Sequence, residues 1–301
     1  LLRDIALFVE VVNARSFTRA AEHLEMPTST LSRRISQLER QLGMRLLNRS
    51  TRRVEVTDAG AAYFAKCAHL VEAARVAHEE VMGAQQQVQG TLRITCSADF
   101  ANHYLPGVLA RFVQQHPQVR IDLDLSSRVV DLVSENIDLA LRLGPLADSS
   151  LVARKVGELH SALYASPDYL RRAARLRTPA DLSAHRCLRR RGAAVDSTWR
   201  LVATKPSRSP AGAKVAGQDV TVDGPFVVSS VTMIRKLAVE AAGIGVIDDG
   251  MARADVEAGN LVRVLPAWRM APVDVHALTP SRLMPVRVRT FIDELLVAFH
   301  R

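Results

Sequence analysis

Ser16-Phe17-Thr18-Arg19-Ala20-Ala21-Glu22-His23-Leu24 and, just beyond Met26-Pro27, Thr28-Ser29-Thr30-Leu31-Ser32-Arg33-Arg34-Ile35 form the stretch that decides the fold of this chain. Ser16 is of a type that caps helices, because its side-chain oxygen accepts from the N–H groups of a first turn. A helix is therefore expected over residues 17–25, with Ala20, Ala21 and Leu24 inward. Pro27 has no N–H to donate and ends that helix. A new one starts at once, with Leu31, Ile35, Leu38 and Leu42 on one face and Gly43 at its end. Two helices joined by a short turn, with small Ala20 and Ala21 permitting close approach, make a helix-turn-helix pattern. The other face of the second helix carries Thr28, Ser29, Ser32, Arg33, Arg34 and Gln37, all able to hydrogen-bond base edges or phosphates. The same face would also suit a three-helix protein-interaction domain whose polar side is merely solvated.

Outward from this core, Leu1, Leu2, Ile5, Phe8, Val9 and Val12 mark a preceding amphipathic helix. On the other side, Arg49-Ser50-Thr51-Arg52-Arg53-Val54-Glu55-Val56-Thr57 reads as a small hairpin or wing. Arg49, Arg52 and Arg53 there suit phosphates or the minor groove, and this favours the nucleic-acid reading. From Thr57 one long helix follows. Phe64, Cys67, Val71, Ala74, His78, Val81, Gln85 and Val88 alternate steps of three and four, the seam of a two-stranded coiled coil. A helix packed on its own domain is the competing reading. A dimer fits duplex DNA, since paired recognition helices read two half-sites.

The 301 residues carry 40 Lys+Arg against 31 Asp+Glu, a net charge of +9 that favours an anionic partner. Residues 1–90 are nearly neutral, with 12 basic and 10 acidic side chains, so any nucleic-acid contact must rely on local clusters. No apolar run approaches the roughly 18 residues that span a bilayer. The first dozen residues include Arg3, Asp4 and Glu10, unlike a signal peptide, so a cytoplasmic protein with no membrane partner is expected. Cys67, Cys96 and Cys187 lie far apart and show no metal-ligand spacing, which excludes a disulfide scaffold and a zinc module.

After Gly90 the period shifts to two. Leu92, Ile94 and Cys96 mark a strand, Leu105, Leu109, Phe112 and Val113 a helix, and Val119, Ile121, Leu123 and Leu125 another strand. The order continues through residues 138–142 and 160–165, arguing for α/β units on a largely parallel sheet. Residues 205–218 read as a surface loop, residues 229–242 and 286–299 as helices, and residues 243–247 as a strand.

The chain resembles LysR-type transcriptional regulators. The motifs above carry the resemblance, with Leu38-Glu39, Leu42-Gly43, Leu46-Leu47-Asn48-Arg49-Ser50-Thr51-Arg52 and Val56-Thr57-Asp58-Ala59-Gly60, and the likeness continues to the C-terminus. The implied architecture is an α+β N-terminal winged helix-turn-helix, a long linker helix, and an α/β two-lobed effector domain like type 2 periplasmic binding proteins. The expected division is a DNA-binding domain at 1–58, a linker and dimerisation helix at 59–89, and an effector-binding domain at 90–301. Lobe one takes residues 91–160 and 268–301, and lobe two takes 161–267. The resemblance implies double-stranded DNA, a small-molecule effector and a second copy of the chain as partners, as a homodimer or dimer of dimers. For an activator it adds RNA polymerase. It gives base reading to Thr28, Ser29, Ser32 and Arg33, with Arg34 and Gln37 in support and Arg49, Arg52 and Arg53 on the backbone or minor groove.

Ligands of open α/β sheets bind beyond the carboxyl ends of strands, at helix N-termini. Ser97, Ala98 and Phe100, then Arg142 and Gly144, then Ser229, Ser230 and Thr232 meet that description. The serines also suit plain capping, and Arg142 suits either a carboxylate clamp or a structural ion pair. Asp99 and Asp248-Asp249-Gly250, where family members often have a proline-containing turn, make the cleft less welcoming to a simple carboxylate. A cysteine-based redox sensor of the same architecture is an alternative, although Cys187 has no near neighbour in sequence. An enzyme on the bilobal domain is another, but no nucleophile elbow, phosphate loop, H-E-x-x-H or dinucleotide fingerprint occurs. No cofactor is expected.

Overall fold

Apolar residues spaced by three and four, with caps at the ends, build the N-terminal elements. A computed structural model describes residues 1–49, 54–81, 88–126, 128, 130–146, 151–191, 197–204, 217–281 and 283–299. Its first helices are α1 (Leu2–Ala14), α2 (Phe17–His23) and α3 (Thr28–Leu42). The Ser16 hydroxyl oxygen accepts from the Arg19 N–H at 3.4 Å, capping α2 as expected. That helix stops at His23, short of residue 25, where Glu25 takes a left-handed φ of 49°. Gly43 closes α3 at φ 69°, a backbone state that suits glycine. Leu31, Ile35 and Leu38 are fully buried with Phe8, Val11 and Ala20.

The wing pairs β1 (Leu47–Arg49) with β2 (Val54–Val56) antiparallel, Leu47 opposite Val56 and Arg49 opposite Val54. The Glu39 carboxylate accepts the N–H groups of Leu46 and Leu47 at 2.9 and 3.1 Å, tying the wing to α3. Helix α4 (Asp58–Val81) begins hard against it. A Cβ on Gly60 would lie 2.0 Å from the Leu46 carbonyl oxygen, so this approach needs glycine.

Part of the expected coiled-coil seam is used within the chain. Cys67 is buried in the N-terminal core, with Phe64 and Val71 packed against it, so the first half of the seam is used within the chain. Val88 lies outside α4 and packs on the core of the following domain, while Gln85 lies outside the described residues. Ala74 and His78 of the seam are exposed, and so is the large apolar side chain of Leu70, at 58%.

The remaining chain builds two lobes. Lobe one starts with β3 (Gly90–Thr95), α5 (Ala98–Tyr104), α6 (Pro106–Gln115), β4 (Val119–Asp124), β5 (Leu139–Leu143) and β6 (Val152–Leu159). The chain then crosses at His160 into β7 (Ser161–Ala165), α7 (Pro167–Arg172), β8 (Cys187–Arg190), β9 (Thr198–Ala203), β10 (Gly217–Thr221) and β11 (Val227–Val228). Lobe two is completed by α8 (Val231–Val239), β12 (Ile244–Asp248), α9 (Asp249–Glu257), β13 (Val262–Val264) and β14 (Trp268–Met270). The return to lobe one brings β15 (Val273–Thr279) and α10 (Val286–Phe299). The sheets run β4-β3-β5-β15-β6 and β11-β8-β12-β7-β13, with a smaller sheet β10-β9-β14 beside the second.

Two expectations change here. Each main sheet is half antiparallel, because β15 runs against β5 and β6, and β7 against β12 and β13. The second crossing falls after Met270, not before Trp268, because Trp268–Met270 pairs with β9 of lobe two. Among the described residues no helix is long and apolar enough to cross a membrane.

Candidate functional site

The outward side of α3 presents the first candidate surface. Thr28, Ser29, Arg33 and Gln37 are exposed and Ser32 is half-buried, opposite the buried Leu31–Ile35–Leu38 row. Exposed in this way, Thr28, Ser29, Arg33 and Gln37 form a face of the kind that enters a major groove. A concavity of about 890 Å³ separates α3 from the wing, with Arg33, Arg40 and Arg45 among its lining residues. Arg34 belongs to a different arrangement. Its guanidinium pairs at 2.9 Å with Asp4 of α1, whose carboxylate is only 7% exposed. That ion pair clamps α1 to α3 and draws Arg34 away from the reading row. Arg52 and Arg53 lie outside the described residues, and of Arg49 only its strand position is described.

The second candidate surface lies between the lobes. Ser97 precedes α5 and Ala98 opens it, Gly144 turns the chain after β5 at φ 84°, and Ser229 and Ser230 precede α8. Half-buried Arg142 sits at the end of β5, and its guanidinium donates to three backbone carbonyls, those of Thr95, Leu141 and Arg128, at 3.1–3.4 Å. Burial, and the like charge of Arg128, lower its pKa. It is thus held by neutral acceptors, without a carboxylate in ion-pair range among the described residues.

Three expected effector residues are otherwise employed. Phe100 is only 2% exposed; α5 turns its ring inward, where it stacks on Phe299 at 5.8 Å and packs beside Tyr104. It cannot touch a ligand in the cleft. Ser230 and Thr232 meet Asp99 of the opposite lobe. The Ser230 hydroxyl donates to Asp99 at 2.8 Å, and the Val231 and Thr232 N–H groups do so at 2.6 and 3.2 Å. Burial pushes the Asp99 carboxyl up, but these donors outweigh it and leave its pKa below the usual value. At the other end of α5 the Tyr104 hydroxyl donates to Asp248, and Tyr164 donates to Asp249 at 2.7 Å. Sequence reading singled out Asp99 and Asp248-Asp249 for their charge but missed these contacts, whose partners lie more than 80 residues away along the chain.

Two further basic side chains of the two-lobed domain have partners of their own. Arg189 pairs with Asp223 at 3.1 Å and donates to the Gly224 carbonyl, and His160 stands beside Glu158 at 3.5 Å. Cys96 and Cys187 are fully buried, which pushes their thiols up to about 11 and about 12. That is the reverse of a reactive thiolate. Among the described residues no group of three or more His, Cys, Asp or Glu is placed to hold a metal ion.

Comparison with known proteins identifies both parts of the chain. Residues 2–61 match the family model for the bacterial regulatory helix-turn-helix protein of the lysR family, and residues 85–299 match the LysR substrate binding domain. An HTH-type transcriptional regulator of Xanthomonas campestris is 34% identical over 300 residues, covering 98% of this chain and 84% of that protein. The full-length virulence activator AphB of Vibrio cholerae superposes with a TM-score of 0.60 at 30% identity, covering 99% of both chains. CrgA of Neisseria meningitidis, a LysR-type regulator, gives 0.61 at 29%, again over 99% of both. With a helix-turn-helix followed by a two-lobed α/β domain along nearly its whole length, the chain belongs to the LysR family of transcriptional regulators.

Proposed function

We propose that this regulator reads operator DNA with α3 in the major groove, and that a small molecule entering between the lobes controls it. The observation that carries the first half is the exposed row Thr28, Ser29, Arg33 and Gln37 on the face opposite the buried leucines of α3. Side chains of these types hydrogen-bond base edges, and Arg33 suits guanine. Arg49, Arg52 and Arg53 hold the DNA backbone or minor groove beside them. The protein acts as a homodimer or dimer of dimers, so that two copies of α3 address two half-sites. Where it activates, RNA polymerase is a further partner.

Arg142, Ser97, Ala98, Gly144 and Ser229 remain the effector contacts, at strand ends and a helix start that face each other across the lobes. An effector acts here only if it binds two global states unequally. The redox alternative is disfavoured by the burial of Cys96 and Cys187.

The test has two parts. Arg33→Ala is expected to weaken binding to the regulator's own promoter and to relax discrimination at one base pair. A thermal-shift screen of the full chain against metabolites should give a stabilising ligand whose effect weakens in Arg142→Ala. Unchanged DNA binding, or a ligand indifferent to Arg142, would count against the respective half.

A further inference from the structure

Asp99 is the only carboxylate seen at the start of α8 among the described residues, and it comes from the opposite lobe. Both of its oxygens are engaged: Oδ1 by the Ser230 hydroxyl and the Thr232 N–H, Oδ2 by the Val231 N–H. The first turn of a helix offers unsatisfied N–H groups and a positive dipole end, a setting suited to one oxyanion. Here the chain supplies that oxyanion itself. The contact is not isolated, because Tyr104, at the other end of α5, reaches Asp248. That carboxylate caps α9 through the Gly250 and Met251 N–H groups at 2.9 and 3.3 Å. The seven residues of α5 are therefore fastened at both ends to helix starts of lobe two.

We propose that Asp99 is a specificity-determining residue of the effector cleft. Its carboxylate is an internal ligand at the α8 start, and it restricts the cleft to molecules that bring no carboxylate or phosphate to that position. The proposal rests on the reading of the cleft as the effector site. An incoming oxyanion would find the donors of Ser230, Val231 and Thr232 already taken and would face a charge of its own sign, which is unfavourable at short range. A neutral or cationic molecule meets neither obstacle.

The experiment uses the full chain with sodium acetate, sodium succinate and sodium phosphate as probes, each compared with sodium chloride at equal ionic strength. Thermal shift and titration calorimetry are the readouts. The wild type is expected to respond to the probes as it does to chloride. Asp99→Ala, which opens the donors, is expected to bind at least one probe about tenfold tighter or more, the worth of a charge-assisted hydrogen bond. Adding Ser230→Ala should remove that gain. Asp99→Asn keeps the shape without the charge; it should show the same order more weakly and serves if the alanine variant does not fold. Equal response of wild type and variant, no response in either, or a gain that survives loss of the Ser230 hydroxyl would each overturn the proposal. The effector reading itself is decided separately, by the metabolite screen on wild type and Arg142→Ala.

Discussion

Arg287 of α10 reaches out of lobe one and pairs with Glu72 of the linker helix α4 at 3.2 Å. The same guanidinium, on a side chain only 13% exposed, donates to the Thr91 carbonyl at 2.9 Å and meets the half-buried Asp138 at 3.5 Å. One side chain thus joins the helix leading from the DNA-binding domain to the effector domain. Burial pushes the Asp138 carboxyl up, and Arg287 and the Arg93 N–H pull it only part of the way back.

Arg287→Ala is expected to destabilise the chain by about 1–3 kcal/mol, the cost of removing a charged donor from the half-buried Asp138 and the Thr91 carbonyl. The deficit, followed by urea unfolding, should shrink at acidic pH, where a protonated Asp138 needs no counter-charge. A deficit that does not vary with pH would mean that Arg287 acts through packing alone.

Arg33 and Arg34 are adjacent, yet their substitutions should be felt in different measurements. Arg33→Ala should weaken specific DNA binding by about 1–3 kcal/mol and leave the melting temperature in place. Arg34→Ala strands the Asp4 carboxylate and should lower stability by about 1–3 kcal/mol. Binding titrations and thermal melts on both variants separate the two roles.

On α4, neighbouring positions should also part company. Val71 is packed on its own domain, so Val71→Asp should lower the melting temperature as well as any self-association. Leu70 faces solvent, so Leu70→Asp should weaken dimers while the monomer remains folded. Sedimentation together with far-ultraviolet circular dichroism reads both effects; a Leu70 variant that stays dimeric would place the interface elsewhere.

The Asp99 contacts carry a pH signature. A carboxyl whose folded pKa is depressed contributes stability above its unfolded pKa, about 4, and loses it as pH falls through the lower folded value. Wild type should therefore be more stable than Asp99→Asn at neutral pH, and the difference should vanish in acid below that range. Thermal melts across pH 3–7 test this, since a constant difference would assign the effect to shape and not charge.

Legibility in the sequence followed the range of the interactions. Leu31, Ile35 and Leu38 announce α3 because helix burial repeats locally, and Ser16 announces the cap of α2 because that contact too is local. Phe100 was misplaced because a helix only seven residues long gives too few turns to establish which side faces inward. The seam through Phe64, Cys67 and Val71 has the right spacing for a coiled coil, but periodicity marks an apolar stripe without naming what covers it. Asp99 and Ser230, like Arg287 and Glu72, meet only after the chain has crossed between lobes, and no local pattern records that meeting.

Strand β15 lies between β5 and β6, although residues 160–272 separate it from the end of β6. On the ribosome, β5 and β6 emerge with a gap between them that only a much later segment fills. Lobe two, contained in one uninterrupted run, is able to reach its own topology first, while lobe one waits with two unpaired sheet edges. The order of synthesis thus makes the effector domain's first-born half its last to be completed, and exposes that gap to chaperones or to misassembly until β15 arrives.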